Sequence, residues 1–282
     1  MKDRTCIITG ATAGIGFETA AQLGALGARL LLVGRNREKG SAALTQLRQR
    51  VPRVSAEMLY ADLSRADDIL RVSEALLKAA TRIDVLINNA GAIFARRETT
   101  EDGLERTFAL NHMGYFRITA LLRERLIASA PARIVNVASE AHRGARLDFS
   151  DLQSSRQYRG WKAYQRSKLA NILFTRELAR QLEGTGVTAN CLHPGFVASD
   201  FGNNNRGLWR LGIRLAKRFG AIPVERGAQT PVFLASSSEV APVSGKYFDK
   251  CRERPPDQAA QDDTAARRLW AESGRLAGVK IL

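Results

Sequence analysis

The sequence lacks any uninterrupted apolar run approaching the roughly 18 residues that a membrane-spanning helix needs, so it offers no transmembrane segment. Cysteine is scarce: Cys6, Cys191 and Cys251 are an odd count without the spacing of a disulfide framework or a metal site. Cys6 and Cys191 lie in apolar runs and read as small buried hydrophobes, so a reduced, cytoplasmic setting is expected. Histidine is equally sparse, and no Cys, Asp or Glu cluster accompanies it. His193, at a predicted strand end, therefore reads as structural rather than as a metal ligand. Acidic residues are too few to balance the basic ones, 28 against 43, which leaves a net charge of +15. Most of that excess is arginine scattered along the chain. Attraction to anionic lipid is physically open, so peripheral membrane contact remains a candidate. A nucleic-acid reader would carry a module or a basic stripe, and neither is present. The chain starts MKDRTCIITG, so the first strand is expected at once, with no signal peptide or anchor before it.

What the sequence does contain is the balance of an ordinary globular protein, with 45% hydrophobic and 25% charged residues. Apolar runs at 4–9, 28–34, 53–60, 83–88, 133–139, 187–193 and 246–248 read as strands. Helical patterns at about 17–26, 37–50, 66–80, 101–127, the Tyr164 segment and 225–236 alternate with them. Strands that are apolar throughout belong in a parallel sheet covered on both faces, and right-handed crossovers make it doubly wound. The expected fold is a single α/β domain over 1–282, a Rossmann-type doubly wound parallel sheet with helices on both faces. A substrate lid is expected at about 198–222, where Leu208, Leu211, Leu215 and Phe219 fall on one helical face. A membrane-surface helix is the other reading of that stretch. A C-terminal extension at about 250–282 follows.

Ligands of such a sheet gather at the carboxyl ends of its strands. Gly10, Gly14 and Gly16 follow the first strand in the spacing G-x-x-x-G-x-G and precede a helix, an arrangement that admits a pyrophosphate against helix N–H groups. A plain tight turn is the bland alternative. At the end of the second strand Gly34 stands where an acid would bind a free ribose hydroxyl, and Arg35 follows. Arginine there accommodates a 2′-phosphate, so NADP(H) is favoured, unless Arg35 is simply solvated. Asp62 and Asn88-Asn89-Ala90-Gly91 also lie at strand ends. Tyr164 and Lys168 sit four apart on a predicted amphipathic helix, so phenol and ammonium are neighbours. A nearby cation eases ionisation of a phenol, which would suit general acid–base work. Asn111 falls in mid-helix, where asparagine needs a reason.

Taken together, Thr9 to Gly16, Asn88 to Gly91, Asn111, Ser139, Tyr164 with Lys168, and Pro194-Gly195 resemble the short-chain dehydrogenase/reductase family over nearly the whole chain. Ser167-Lys168-Leu169-Ala170-Asn171, His193-Pro194-Gly195, Ser244 to Phe248 and Ala266 to Trp270 are similar to its retinol-dehydrogenase-type branch. The resemblance implies an NADP-dependent oxidoreductase acting on a carbonyl/alcohol pair, with a lipophilic aldehyde, ketone or alcohol as substrate. It implies that Tyr164 exchanges the proton, that Lys168 lowers its pKa and holds the nicotinamide ribose, that Ser139 hydrogen-bonds the substrate oxygen, and that Asn111 holds a water. Gly10, Thr12, Gly14, Ile15, Gly16, Arg35, Asp62, Leu63, Asn89, Ala90, Gly91, Pro194, Gly195 and Val197, with Tyr164 and Lys168, would line the cofactor. The family also implies a homo-oligomer. Thr12 stands where retinol-type members usually have Asn. A non-catalytic, NADP(H)-sensing protein on the same scaffold is the competing expectation; it normally requires an eroded site, and here Asn111, Ser139, Tyr164 and Lys168 are all present.

Overall fold

The structure, a computed structural model, describes residues 1–197 and 222–278. The expected lid at about 198–222 lies almost wholly outside the described residues. Eight strands form one sheet in the order β3-β2-β1-β4-β5-β6-β7-β8. They are β1 (Thr5–Thr9), β2 (Arg29–Gly34), β3 (Ala56–Tyr60), β4 (Val85–Asn88), β5 (Ala132–Val137), β6 (Val187–His193), β7 (Tyr247–Asp249) and β8 (Arg252–Glu253). The first seven run parallel, and β8 turns back antiparallel on β7. The sequence pattern did not suggest β8, which is a charged pair too short to show alternation.

Both sheet faces are dry, and the period-two geometry of a strand shows how. Ile7, Leu31, Leu86 and Ile134 enter one core with Ile69, Leu76, Phe116, Leu122, Phe174 and Leu178 of the helices on that side. Their neighbours Cys6, Ile8, Leu30, Leu32, Val85 and Ile87 enter the opposite core with Phe17, Leu23, Leu47 and Leu234. Each fully buried side chain of this size stabilises the fold by roughly 1.5–3 kcal/mol, so neither face tolerates a polar register slip.

Pairing of Thr9 with Val33, Gly34 with Tyr60 and Asn88 with Asn136 brings the carboxyl ends level. β1 is flanked by β2 on one side and β4 on the other, so successive crossovers leave in opposite directions there. That divergence opens the crevice in which ligands of such sheets bind.

The helix expected from residue 101 begins instead at Arg106. The Glu105 carboxylate fixes that start by accepting from the N–H groups of Thr107 at 2.7 Å and Phe108 at 2.9 Å. The helix then widens into a π-turn over Ala109–Met113 and continues as Gly114–Ala128. Near the carboxyl terminus a helix over Asp263–Ala277 is started by Asp262, whose side chain accepts from Ala265 N, and ended by Gly278 at φ +66°. Its Trp270 stacks on Phe174 and meets Phe116 edge-on, while Asp263 pairs with Arg176 and Arg180.

Candidate active site

The first helix, Gly14–Ala25, starts without a capping side chain and without an acid in its first turn. Its leading N–H groups are therefore free to meet an anion. Gly10 and Gly14 reach this start through φ of +66° and +57°, which only glycine adopts at little cost. A Cβ on Gly10 would sit 2.8 Å from Ala90 Cα, and one on Gly16 would reach 2.5 Å from Asn89 Nδ2. Asn89 Nδ2 donates to Thr9 O at 2.9 Å and Gly10 O at 3.2 Å, locking the β4 end to the glycine turn. Bare helix start, glycine cradle and anchored asparagine fit the diphosphate of a dinucleotide.

Farther along the crevice, a Cβ on Gly34 would fall on Thr12 Cγ2, well inside contact. The Thr12 methyl thus fills the space that an acidic side chain at position 34 would need. Arg35, well exposed, reaches Asp62 Oδ2 at 3.3 Å. Asp62 is held by Ser64 and lies below the usual carboxylate range, although burial works against that. Leu63 turns its side chain into the core, so only its backbone faces the crevice. Val197 and Ile15 both approach Gly227, where a Cβ would lie 2.6 and 3.4 Å from them. Gly195, at φ +89°, packs against Ile222, and Pro194 is half-buried before it.

The chemistry-bearing residues converge at the end of β5. Tyr164 and Lys168 sit on the long helix Gly160–Gln181. The Ser139 side chain lies beside the Tyr164 phenol and eases its ionisation, while its hydroxyl accepts from Ala141 N at 3.1 Å. Lys168 Nζ lies 5.7 Å from the ring centres of both Tyr164 and Tyr115, and donates to Val137 O at 2.9 Å. Gly91 lies between Asn111 and Lys168: a Cβ there would be 3.3 Å from Asn111 Oδ1 and 3.5 Å from Lys168 Nζ.

The expected effect of Lys168 on Tyr164 needs correction in this geometry. The Tyr164 pKa is not lowered; burial pushes it up to about 12, with the Ser139 hydrogen bond pulling the other way. Lys168 donates to Val137 O, and burial brings its own pKa down to about 7. The Asn111 side chain has protein partners: it accepts from Ala92 N and donates to Ala92 O and Ser167 Oγ, each at 2.9 Å. It clamps the segment after Gly91, and the π-turn explains its place in a helix.

Several participants escaped the sequence reading. Val137 O collects donors from Lys168, Tyr115 at 3.4 Å and Asn171 at 3.5 Å, and a backbone carbonyl leaves no sequence signal. Trp161, 48% exposed, lays its ring 5.7 Å from that of Tyr164 at the mouth of the site. His193 Nδ1 accepts from Glu140 N. Among the described residues no His, Cys, Asp and Glu group could hold a metal.

The short chain dehydrogenase family model matches residues 4–207. Human retinol dehydrogenase 13 is 41% identical over 98% of this chain and 85% of its own length. Among solved structures, a putative uncharacterized protein from Mycobacterium paratuberculosis superposes with a TM-score of 0.79 at 30% identity, covering 100% of this chain and 96% of that one. The Pseudomonas aeruginosa RhlG/NADP active-site complex gives 0.69 at 27% identity, over 88% and 94% of the two chains.

Proposed function

Because the chain belongs to the short chain dehydrogenase family, in its retinol-dehydrogenase branch, we propose that it moves a hydride between NADP(H) and a lipophilic carbonyl/alcohol pair. The observation that carries this reading is the convergence of Ser139, Tyr164, Lys168 and Asn111 at the carboxyl end of β5. The bound nicotinamide supplies or accepts the hydride. Tyr164 gives its phenolic proton to the carbonyl oxygen in reduction and takes it back in oxidation. Ser139 donates a hydrogen bond to the same oxygen, stabilising charge as it develops there. Lys168, reoriented from Val137 O, holds the ribose, and Asn111 keeps the Gly91-Ala92 backbone in place beside it.

The raised Tyr164 pKa suits reduction. A phenol that is fully protonated at neutral pH is ready to protonate an oxygen becoming an alkoxide, which is far more basic than phenolate. NADP(H) is supported by Arg35 at the ribose end, by the Thr12 methyl in the space of an acid at position 34, and by the NADP in the RhlG complex. A lipophilic substrate is supported by the half-exposed Trp161 beside Tyr164. The free, mostly buried cysteines suit a cytoplasmic setting.

The test is oxidation of NADPH and, separately, NADH with carbonyls ranging from small aldehydes to retinal and steroid ketones. NADPH should lead, with the bulky apolar carbonyls preferred. Tyr164→Phe should cut turnover at least 100-fold, the scale of a lost acid–base group, while NADPH binds within about two-fold of wild type. Retained turnover in that variant would remove Tyr164 from the mechanism, and preference for NADH would remove Arg35 from the cofactor assignment.

A further inference from the structure

Two histidines are fully buried, and each joins the carboxyl-terminal part of the chain to the catalytic centre. His142 Nε2 accepts from Asp257 N at 3.1 Å, and its Nδ1 meets Ser139 O at 2.6 Å. A ring nitrogen that accepts carries no proton, so in the neutral ring the proton must be on Nδ1, donating to Ser139 O. Asp257 is held in turn, its Oδ2 accepting from Gly144 N at 2.8 Å. The second histidine, His112, directly follows Asn111 on the π-turn. Its Nε2 meets Ser273 Oγ at 2.7 Å, and the Asn171 side chain interacts with the ring from the other side. That second contact is long: by strict geometry His112 Nδ1 and Asn171 Oδ1 both lack a close partner. Asn171 Nδ2 then points to Val137 O, where Lys168 is anchored.

Asp257 and Ser273 both lie beyond the residues 4–207 that the family model matches. We propose that the segment 257–273 is a positioning element of the active site, holding Ser139 through His142 and the Asn111–Lys168 side through His112. The inference rests on the catalytic roles proposed above for those residues. Its physical basis is that a serine serving as a hydrogen-bond donor must be aimed to within fractions of an ångström. Ser139 begins a three-residue 3-10 turn, Glu140–His142, which is too short to be rigid by itself. The imidazole acts as a strut between the Ser139 carbonyl and a backbone N–H more than a hundred residues later. Burial favours the neutral form of both rings, lowering the pKa of each, which for His142 preserves the bare nitrogen that accepts from Asp257 N.

The decisive variant is Asp257→Pro. Proline lacks the N–H, and Asp257 already has φ −60°, a value that proline adopts without strain. Asp257→Ala is its partner: it loses the carboxylate contact to Gly144 but keeps the N–H. Asp257→Pro should lower kcat about ten-fold, on the scale of a small misplacement of catalytic groups, with the NADPH dissociation constant within about two-fold of wild type. Asp257→Ala should keep most of the turnover. Ser273→Ala tests the other strut independently and should lower kcat several-fold with little change in the melting temperature. His142→Asn, whose amide can still donate to Ser139 O, should lose less than His142→Phe. Wild-type kcat in both folded Asp257→Pro and Ser273→Ala would overturn the proposal, and so would melting losses with unchanged kcat. A readout independent of turnover is the histidine nitrogen-15 spectrum, which should show His142 protonated on Nδ1 and bare on Nε2 at pH 7. The opposite tautomer overturns the strut even in an active enzyme. An inactive wild type with the expected tautomer would instead count against the catalytic reading.

Discussion

Lys168 is a buried ammonium retained for use, at some cost to stability. Its pKa falls from 10.5 to about 7 in the folded protein, driven by burial. Between these values the unfolded chain holds a proton that the folded chain has given up. Stability therefore rises with pH across that window, and the penalty is complete below about pH 7. Lys168→Met, close in volume and without charge, should be more stable than wild type at pH 7, by on the order of a few kcal/mol. It should also be nearly inactive. Melting curves of both proteins without cofactor should converge as pH rises toward 10; a gap independent of pH would show that Lys168 is not the buried charge inferred here. Tyr164 has the opposite history. Its burial raises the pKa, so the phenol is kept protonated, and the i, i+4 spacing with Lys168 visible in the sequence says nothing of where the ammonium points.

At the scale of elements, the helix that carries Asn111 depends on an acid at its start. Glu105 is buried and caps two N–H groups. Glu105→Ala would leave both donors without partners and open space beneath the first turn. A loss of about 2 kcal/mol is expected, the upper end for a helix cap, read as a lower denaturation midpoint. Turnover should fall as well, since the π-turn with Asn111 and His112 follows within one turn of helix. Unchanged kcat would uncouple the cap from the site.

Elements of this kind also mark the limit of what the sequence told. The strands, the glycine turn, Asn89, Ser139, Tyr164 and Lys168 were legible, because each depends on a local pattern: apolar runs, spacing, position at a strand end. Glu105 as a cap was not legible, since the apolar period continues smoothly across it. The π-turn was invisible because widening a helix changes no residue type. The struts of His142 and His112 were hidden for a different reason. Their partners, Asp257 N and Ser273 Oγ, come from a tail whose docking is set by tertiary contacts such as Trp270 on Phe174.

For the whole molecule, the charge of +15 makes binding of anionic nucleotides dependent on ionic strength. The extra phosphate of NADPH adds roughly −1.5 to −2 charges, and the proposed cofactor assignment gives it the exposed Arg35 as partner. Screening shortens the reach of that attraction from about 14 Å near 50 mM salt to a few ångströms near 1 M. The KM for NADPH should therefore rise several-fold over that range, and more steeply than the KM for NADH. Equal salt dependence for the two would mean that no cation meets the 2′-phosphate.

The far edge of the sheet has one more consequence. β7 covers β6, and the two charged residues of β8 close the row with an arginine and a glutamate. Strip away everything after residue 246, and β6, Val187–His193, which is buried along nearly its whole length, becomes an open template for another chain. The last strands thus cover an edge that would otherwise be open to pairing with a second chain.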